Sequence, residues 1–213
     1  MQKVINTKSG PFFYQPVSLF NGRKKINKSV ARSNLFDLAD VLQKRGLRYG
    51  LIYGTLLGAV RDGDFIEWDE DVDLFVLDED REALLSSLRD IASKGLLVVR
   101  YDNDLLSVMR DDDYIDMYFF RKSLFRTRIC GSHSLPARYF NNLGAIEFLG
   151  RKMPCLDHVE DFLEFAYGQD WRTPKANAHA DPKSLPAKLK AWIRPLIPQR
   201  IRSYYQASKA QKT

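Results

Sequence analysis

The sequence predicts a mixed α/β (α+β) domain with a small mixed central sheet flanked by helices. Three observations predict it. Helical and strand periodicities alternate through the first half of the chain, and a run of strands follows. The stretch Asp71–Leu77 is apolar at both parities, as in a strand covered on both faces. With 213 residues, 45% of them hydrophobic and 12% aromatic, the chain can bury a sizeable core and is too apolar for disorder.

Residues 1–27 hold Gly, Pro, Asn and Lys without clear periodicity and read as an arm. Pro11-Phe12-Phe13-Tyr14 and Leu19-Phe20 are its anchors to the body. A helix is predicted over 30–45, where Leu35, Leu38, Ala39 and Leu42 recur at three-to-four spacing and Gly46 stops the run. A short strand over 48–53 leads to Gly54, and a short helix over 55–61 ends at the Asp62-Gly63 turn. The strand over 71–77 follows. A helix over 82–94 turns Leu84, Leu85, Leu88 and Ile91 inward and closes at Gly95. Residues 96–101 and 105–110 pair around Asp102-Asn103-Asp104, with strands at 114–120 and 124–129 beyond. Residues 146–151 read as strand, and 159–167 as an amphipathic helix capped by Gly168.

Charge is unevenly spread. Residues 1–36 carry seven Lys/Arg and no acid, 182–213 carry eight and no acid, and the middle holds all 27 acids against 18 bases. A net acidic body argues against nucleic-acid binding, which wants a basic stripe on the folded domain. It fits a metal-dependent body whose ends touch something anionic. Cys130 and Cys155 lack metal-ligand spacing and read as reduced thiols. No secretory signal is visible, and no run of about 18 apolar residues predicts a membrane span.

The chemistry concentrates between Gly54 and Asp73. Residues i and i+2 on a strand point the same way, so Asp71 and Asp73 aim their carboxylates to one side, with Asp69 in the same parity. Two such charges repel by about 4 kcal/mol at 4 Å and an effective dielectric near 20. A compensating cation is expected, and short hard oxygen ligands suit Mg²⁺ or Mn²⁺. The alternative is a solvated acidic loop, which most acidic runs are. Two features set this run apart. Asp116 stands alone in the apolar strand Tyr114-Ile115-Asp116-Met117-Tyr118-Phe119-Phe120, which is costly unless it is paired or metal-bound; a satisfied core acid is its other reading. Gly54-Thr55 open a helix whose first turn offers N–H groups to phosphate, and Arg61 sits on the same helix face, able to clamp a phosphate or to pair with the acidic loop. Neither a Walker loop nor a Rossmann fingerprint is present. Asp111, Asp112 and Asp113 read as turn residues. Arg126 and Arg128 read as an exposed edge that could assist the site. His133, His158 and His179 stay unassigned.

The blocks Tyr53-Gly54-Thr55-Leu56-Leu57-Gly58-Ala59-Val60-Arg61, Phe65-Ile66-Glu67-Trp68-Asp69-Glu70-Asp71-Val72-Asp73 and Ile115-Asp116-Met117-Tyr118 together resemble the LicD/fukutin-type phosphotransferases of the nucleotidyltransferase superfamily. Tyr167-Gly168-Gln169-Asp170-Trp171 is similar to that family's C-terminal signature. Glu67 departs from a usual proline and Glu70 from a usual aspartate. The resemblance implies a nucleotidyltransferase-like catalytic domain over 28–181. It implies transfer of a phospho-alcohol, such as phosphocholine or phosphoribitol, from a CDP-activated donor to a hydroxyl of a glycan or lipid-linked glycan, with CMP leaving. On that reading Asp71 and Asp73 hold Mg²⁺, and Asp116 is the third ligand or the general base. Asp69 is auxiliary, Gly54 and Thr55 cradle phosphate, and Arg61 stabilises developing charge. The alternatives are NMP transfer from an NTP with pyrophosphate release, or an inactive glycan- or nucleotide-binding module.

Residues 182–213 place Leu185, Leu189, Trp192, Ile193, Leu196 and Ile197 near one helical face among basic residues. Such a segment binds an anionic membrane surface or packs on the body. The expectation is a cytoplasmic enzyme, peripheral on the inner face of the membrane.

Overall fold

A computed structural model describes residues 1–19 and 24–174; the tail reading at 182–213 lies outside the described residues. A nine-stranded mixed sheet organises the body. Its central strands are β3 (Tyr49–Leu51), β4 (Val72–Leu77) and β7 (Asp113–Lys122). On one side β7 continues into β6 (Leu105–Arg110) and β5 (Leu97–Tyr101). On the other side β3 meets β11 (Arg151–Cys155) and then β10 (Gly144–Phe148). The far end of β7 also pairs with β8 (Thr127–Cys130), which pairs with β9 (His133–Pro136). β4 runs parallel to β7 and antiparallel to β3. Every residue of β4 is buried, as its two-parity apolar pattern predicts.

Helix α1 (Lys28–Lys44) starts where Asn27 accepts hydrogen bonds from the Ser29 and Val30 N–H groups. It buries Leu35, Leu38, Ala39 and Leu42, the predicted face. α2 (Tyr53–Arg61) follows β3 and packs on β4. The helix predicted over 82–94 is broken into α3 (Arg81–Ser86) and α4 (Leu88–Ser93). Its buried break residue, Ser87, donates its hydroxyl to Leu84 O at 2.7 Å and its N–H to the same carbonyl at 2.9 Å, which tightens the turn. α5 (Val159–Tyr167) ends at Gly168, whose φ of 93° a side chain would strain.

Further expectations are corrected. The N-terminal arm is not irregular: β1 (Lys3–Thr7) and β2 (Gly10–Tyr14) form an antiparallel hairpin that buries Ile5 and Tyr14. Its position depends on contacts that local sequence does not announce, Val17 N–H to Val99 O and Arg89 to Ser9 O. The strand read over 146–151 is strand at 146–148, the end of β10, and at Arg151, the start of β11, and a hairpin turn divides it where Leu149 and Gly150 both take positive φ. Arg128 is not on an exposed edge. It is buried and forks onto Glu79 at 2.9 and 3.0 Å. Both cysteines are free and buried. No helix among the described residues is long and apolar enough to cross a membrane.

Candidate active site

Register builds the site. Arg100 on β5 faces Ser107 on β6, Ser107 faces Asp116 on β7, and Asp116 faces Asp73 on β4. Four consecutive strands thus carry a polar row through an otherwise apolar sheet. Within it Ser107 donates to Asp116 Oδ1 at 2.6 Å, Arg100 Nη2 donates to Asp116 Oδ2 at 2.6 Å, and Arg100 Nε donates to Ser107 Oγ at 2.9 Å. The charge of Asp116, costly in so apolar a strand, is therefore met by a guanidinium. Burial still pushes its carboxyl above the ordinary range, outweighing the pull of Arg100 and Ser107.

Asp73 is held from α2. The Gly54 N–H donates to Asp73 Oδ2 at 3.2 Å, and the Asp73 N–H donates to the Thr55 hydroxyl at 2.8 Å. Thr55 is fully buried, so its visible task is to fix Asp73. The two glycines of α2 explain the approach of the acidic loop. A Cβ on Gly54 would stand 2.7 Å from Asp69 Oδ2, and one on Gly58 would stand 2.5 Å from the Asp64 carbonyl oxygen. Gly54 and Gly58, one helical turn apart, leave a flat face on which residues 64–69 lie. Asp69 is also tied to the start of the chain, its carbonyl accepting the Ile26 N–H at 2.8 Å.

The electrostatics of these carboxylates are strained. Burial, then the charges of Asp116 and Asp69, pushes Asp71 up to about 8. Burial pushes Asp69 up to about 6 against the pull of the Glu70 N–H, with the Glu70 charge adding to the rise. Asp73 is held well above the ordinary carboxylate range by burial and by Asp71, Asp69 and Asp116. Tyrosine hydroxyls answer part of this, Tyr114 bonding Asp71 and Tyr118 bonding Asp73. Asp69 Oδ2 is buried and has no hydrogen-bond donor. An acceptor without a donor, in a group of carboxylates that raise one another's pKa, is a place for a cation. Among the described residues, no group of three or more His, Cys, Asp or Glu side chains is placed to hold a metal ion. The orphaned Asp69 oxygen would suit an ion of the Mg²⁺ type, which takes one or two carboxylates and fills its shell with phosphate and water.

Arg61 is paired with an aspartate outside that group. It forks onto neighbouring Asp62 at 2.9 and 2.7 Å and lines a cleft of about 250 Å³ with Val60, Glu160, Trp171 and Arg172. Tyr167 links the two regions, since its hydroxyl feels the charges of Asp73 and Asp69 as well as that of Arg61. Of the run 111–113, Asp111 and Asp112 form a turn with positive φ, as read. Asp113 is a buried strand residue whose Oδ1 accepts the Asn27 N–H at 3.0 Å and faces Lys24 at 3.2 Å.

Several residues around the acids were not singled out from sequence. Tyr114 and Tyr118 flank Asp116 at two-residue spacing, a same-face signal legible once the strand is assigned. Arg100, Ser107 and His133 left no local signal. His133 Nδ1 pairs with the hydroxyl of Tyr53, and the Tyr53 ring meets Tyr118 edge-on at 5.4 Å between centroids. Tyr53 itself opens α2 with φ of 47°, a strained value for a bulky residue.

A mixed sheet with Asp73 on its buried central strand, Asp71 in the bend just before it, and Asp116 in register on the parallel neighbour belongs to the nucleotidyltransferase-like class. Residues 46–155 match the family described as LicD/FKTN/FKRP, nucleotidyltransferase domain, and the chain belongs to that family. A stretch of 40 residues is 58% identical to the ribitol 5-phosphate transferase FKRP of Homo sapiens and of Mus musculus, covering 19% of this chain and 8% of those proteins. Among solved structures, the lincosamide antibiotic adenylyltransferase LnuA with lincomycin bound is 18% identical over 65% of this chain and 87% of that one, with a TM-score of 0.47. The antibiotic-resistance factor ANT(2'')-Ia is 18% identical over 87% of this chain and 98% of that one, with a TM-score of 0.49.

Proposed function

We propose that the chain transfers a phospho-alcohol, of the phosphoribitol or phosphocholine kind, from a CDP-activated donor to a hydroxyl of a glycan or glycolipid. The observation that carries this reading is the register pair Asp73–Asp116, set beside Asp71 and the orphaned oxygen of Asp69. The acceptor oxygen attacks the phosphorus bearing the alcohol, a new O–P bond forms, and the bond from that phosphorus to the CMP oxygen breaks. CMP leaves with the electron pair. Asp71 and Asp73 are the residues that would hold Mg²⁺, with Asp69 auxiliary, and the ion supplies neutralisation of phosphate charge when bound.

Asp116 is assigned as the base that takes the acceptor proton. Both its oxygens already accept from Ser107 and Arg100, so a ligand role would have to share them. Its raised pKa favours proton uptake. Thr55 and the Gly54 N–H hold Asp73, and phosphate is cradled at the α2 N-terminus that these residues open. Arg61 contributes positive charge from its cleft, where it would have to leave Asp62 to grip phosphate.

The test is CMP release from a panel of CDP-alcohols with Mg²⁺ present, alongside labelled CTP. CMP from CDP-ribitol or CDP-choline, abolished by Asp71→Asn or Asp73→Asn in folded protein, is the expected result. Pyrophosphate from CTP would make the chain a nucleotide-transferring enzyme instead. Absence of turnover on every donor would leave a binding module.

A further inference from the structure

The turn between β7 and β8 exposes two large apolar side chains together. Leu124 is 96% and Phe125 77% exposed, at the tip of a hairpin whose ladder pairs Arg121 with Ile129 and Lys122 with Arg128. The surroundings are cationic. Lys122 and Arg126 flank the apolar pair in solvent, while Arg121 and the buried Arg128 are held inward by Asp104 and Glu79. Lys122 remains 73% exposed in its side chain, and Arg126 is exposed as well. The turn is closed by Ser123 N–H to Thr127 O at 2.9 Å, and Arg126 O accepts the Ala137 N–H at 2.9 Å. These bonds fix the turn that carries the pair.

We propose that this tip docks the protein on an anionic phospholipid surface, with Leu124 and Phe125 entering the acyl boundary and the exposed Lys122 and Arg126 meeting the phosphate head groups. An apolar wedge rimmed by Lys and Arg is complementary to that interface in both polarity and charge. A protein partner of ordinary polarity is matched by the apolar pair but not by the cationic rim. Asp116 and Lys122 lie six residues apart on β7, roughly 20 Å at ~3.3 Å per residue, so docking here leaves the aspartates clear of the bilayer.

The test uses the full chain and co-sedimentation with vesicles of phosphatidylglycerol mixed with phosphatidylcholine, against phosphatidylcholine alone. Wild type is expected to partition to the anionic vesicles. Leu124→Glu with Phe125→Glu should lower that partition on the order of 100-fold with an unchanged circular-dichroism spectrum, because both side chains are already in solvent. Equal partition of the double variant and wild type would overturn the proposal and place any binding elsewhere, residues 182–213 included. Failure of wild type to bind, with self-association that the double variant abolishes, would make the tip a protein interface and overturn it too. In a second measurement, Phe125→Cys carries a polarity-sensitive fluorophore, Cys130 and Cys155 being buried. Emission should shift to the blue with anionic vesicles, and unchanged emission would refute insertion.

Discussion

Gly54 is the residue on which the site's geometry turns. A methyl group there would meet the carboxylate of Asp69 at 2.7 Å and force it away from α2. Gly54→Ala should therefore lower kcat for CMP release on the order of 10²-fold, with folding retained, because a displaced group of this size spoils alignment rather than the core. Steady-state kinetics beside a thermal melt check this. Arg100 has a different duty. It balances Asp116 across three strands, and Arg100→Met would leave a buried carboxylate with only Ser107 as donor. A loss of about 2 kcal/mol in urea unfolding is expected, below the cost of breaking a fully buried pair because Arg100 is partly exposed. Combining it with Asp116→Asn should return most of that loss, and simple additivity of the two changes would show that the residues are not coupled.

Elements are joined by ion pairs as well as by the sheet. Glu79 follows β4 in a short 3₁₀ turn and takes the fork of Arg128 from β8. That hydrogen-bonded guanidinium holds the Glu79 carboxyl down at about 2, against an ordinary value of 4.5. A carboxyl whose folded pKa is depressed adds stability above its unfolded pKa and loses it as pH falls through the folded one. The contribution should thus be full at neutral pH and fade between about pH 4.5 and 2. After solvent screening it is about 1 kcal/mol. Glu79→Gln should flatten the acid limb of a stability–pH curve in that window; an unaltered limb would mean the pair contributes nothing there. The break at Ser87 belongs to the same scale. Sequence periodicity carries one helix through 82–94, and a single buried serine closing onto Leu84 divides it.

For the whole molecule, the group of raised aspartates implies coupling between ion binding and stability. An ion that binds the folded chain alone stabilises it by mass action, and EDTA should reverse the gain. Each kcal/mol gained is worth about 2–4 °C in a chain of this size. Titration with MgCl₂ should raise the melting temperature of wild type, with the rise lost in Asp71→Asn and Asp73→Asn. An identical rise in those variants would place the ion elsewhere.

The parts of the site that lie close in sequence were legible there. Asp71 and Asp73 were readable as a pair from strand alternation, although Asp71 stands in the bend just before β4, and the apolar run after them marks a central strand. The Gly54–Gly58 spacing marks one face of a helix, and Asp116 stands out by the cost of its charge among apolar neighbours. Local periodicity also located α1, β4 and α5 closely. Pairing was not legible. Arg100 and Ser107 became partners of Asp116 only through the register of β5, β6 and β7, and that register is set by side chains packing across the sheet. The same reason moved Arg128 from an edge to the interior and turned the arm into a hairpin. Spacing along the chain determines which side chains share a face. Which faces meet, and which charge answers which, is decided only when distant segments compete for the same buried space.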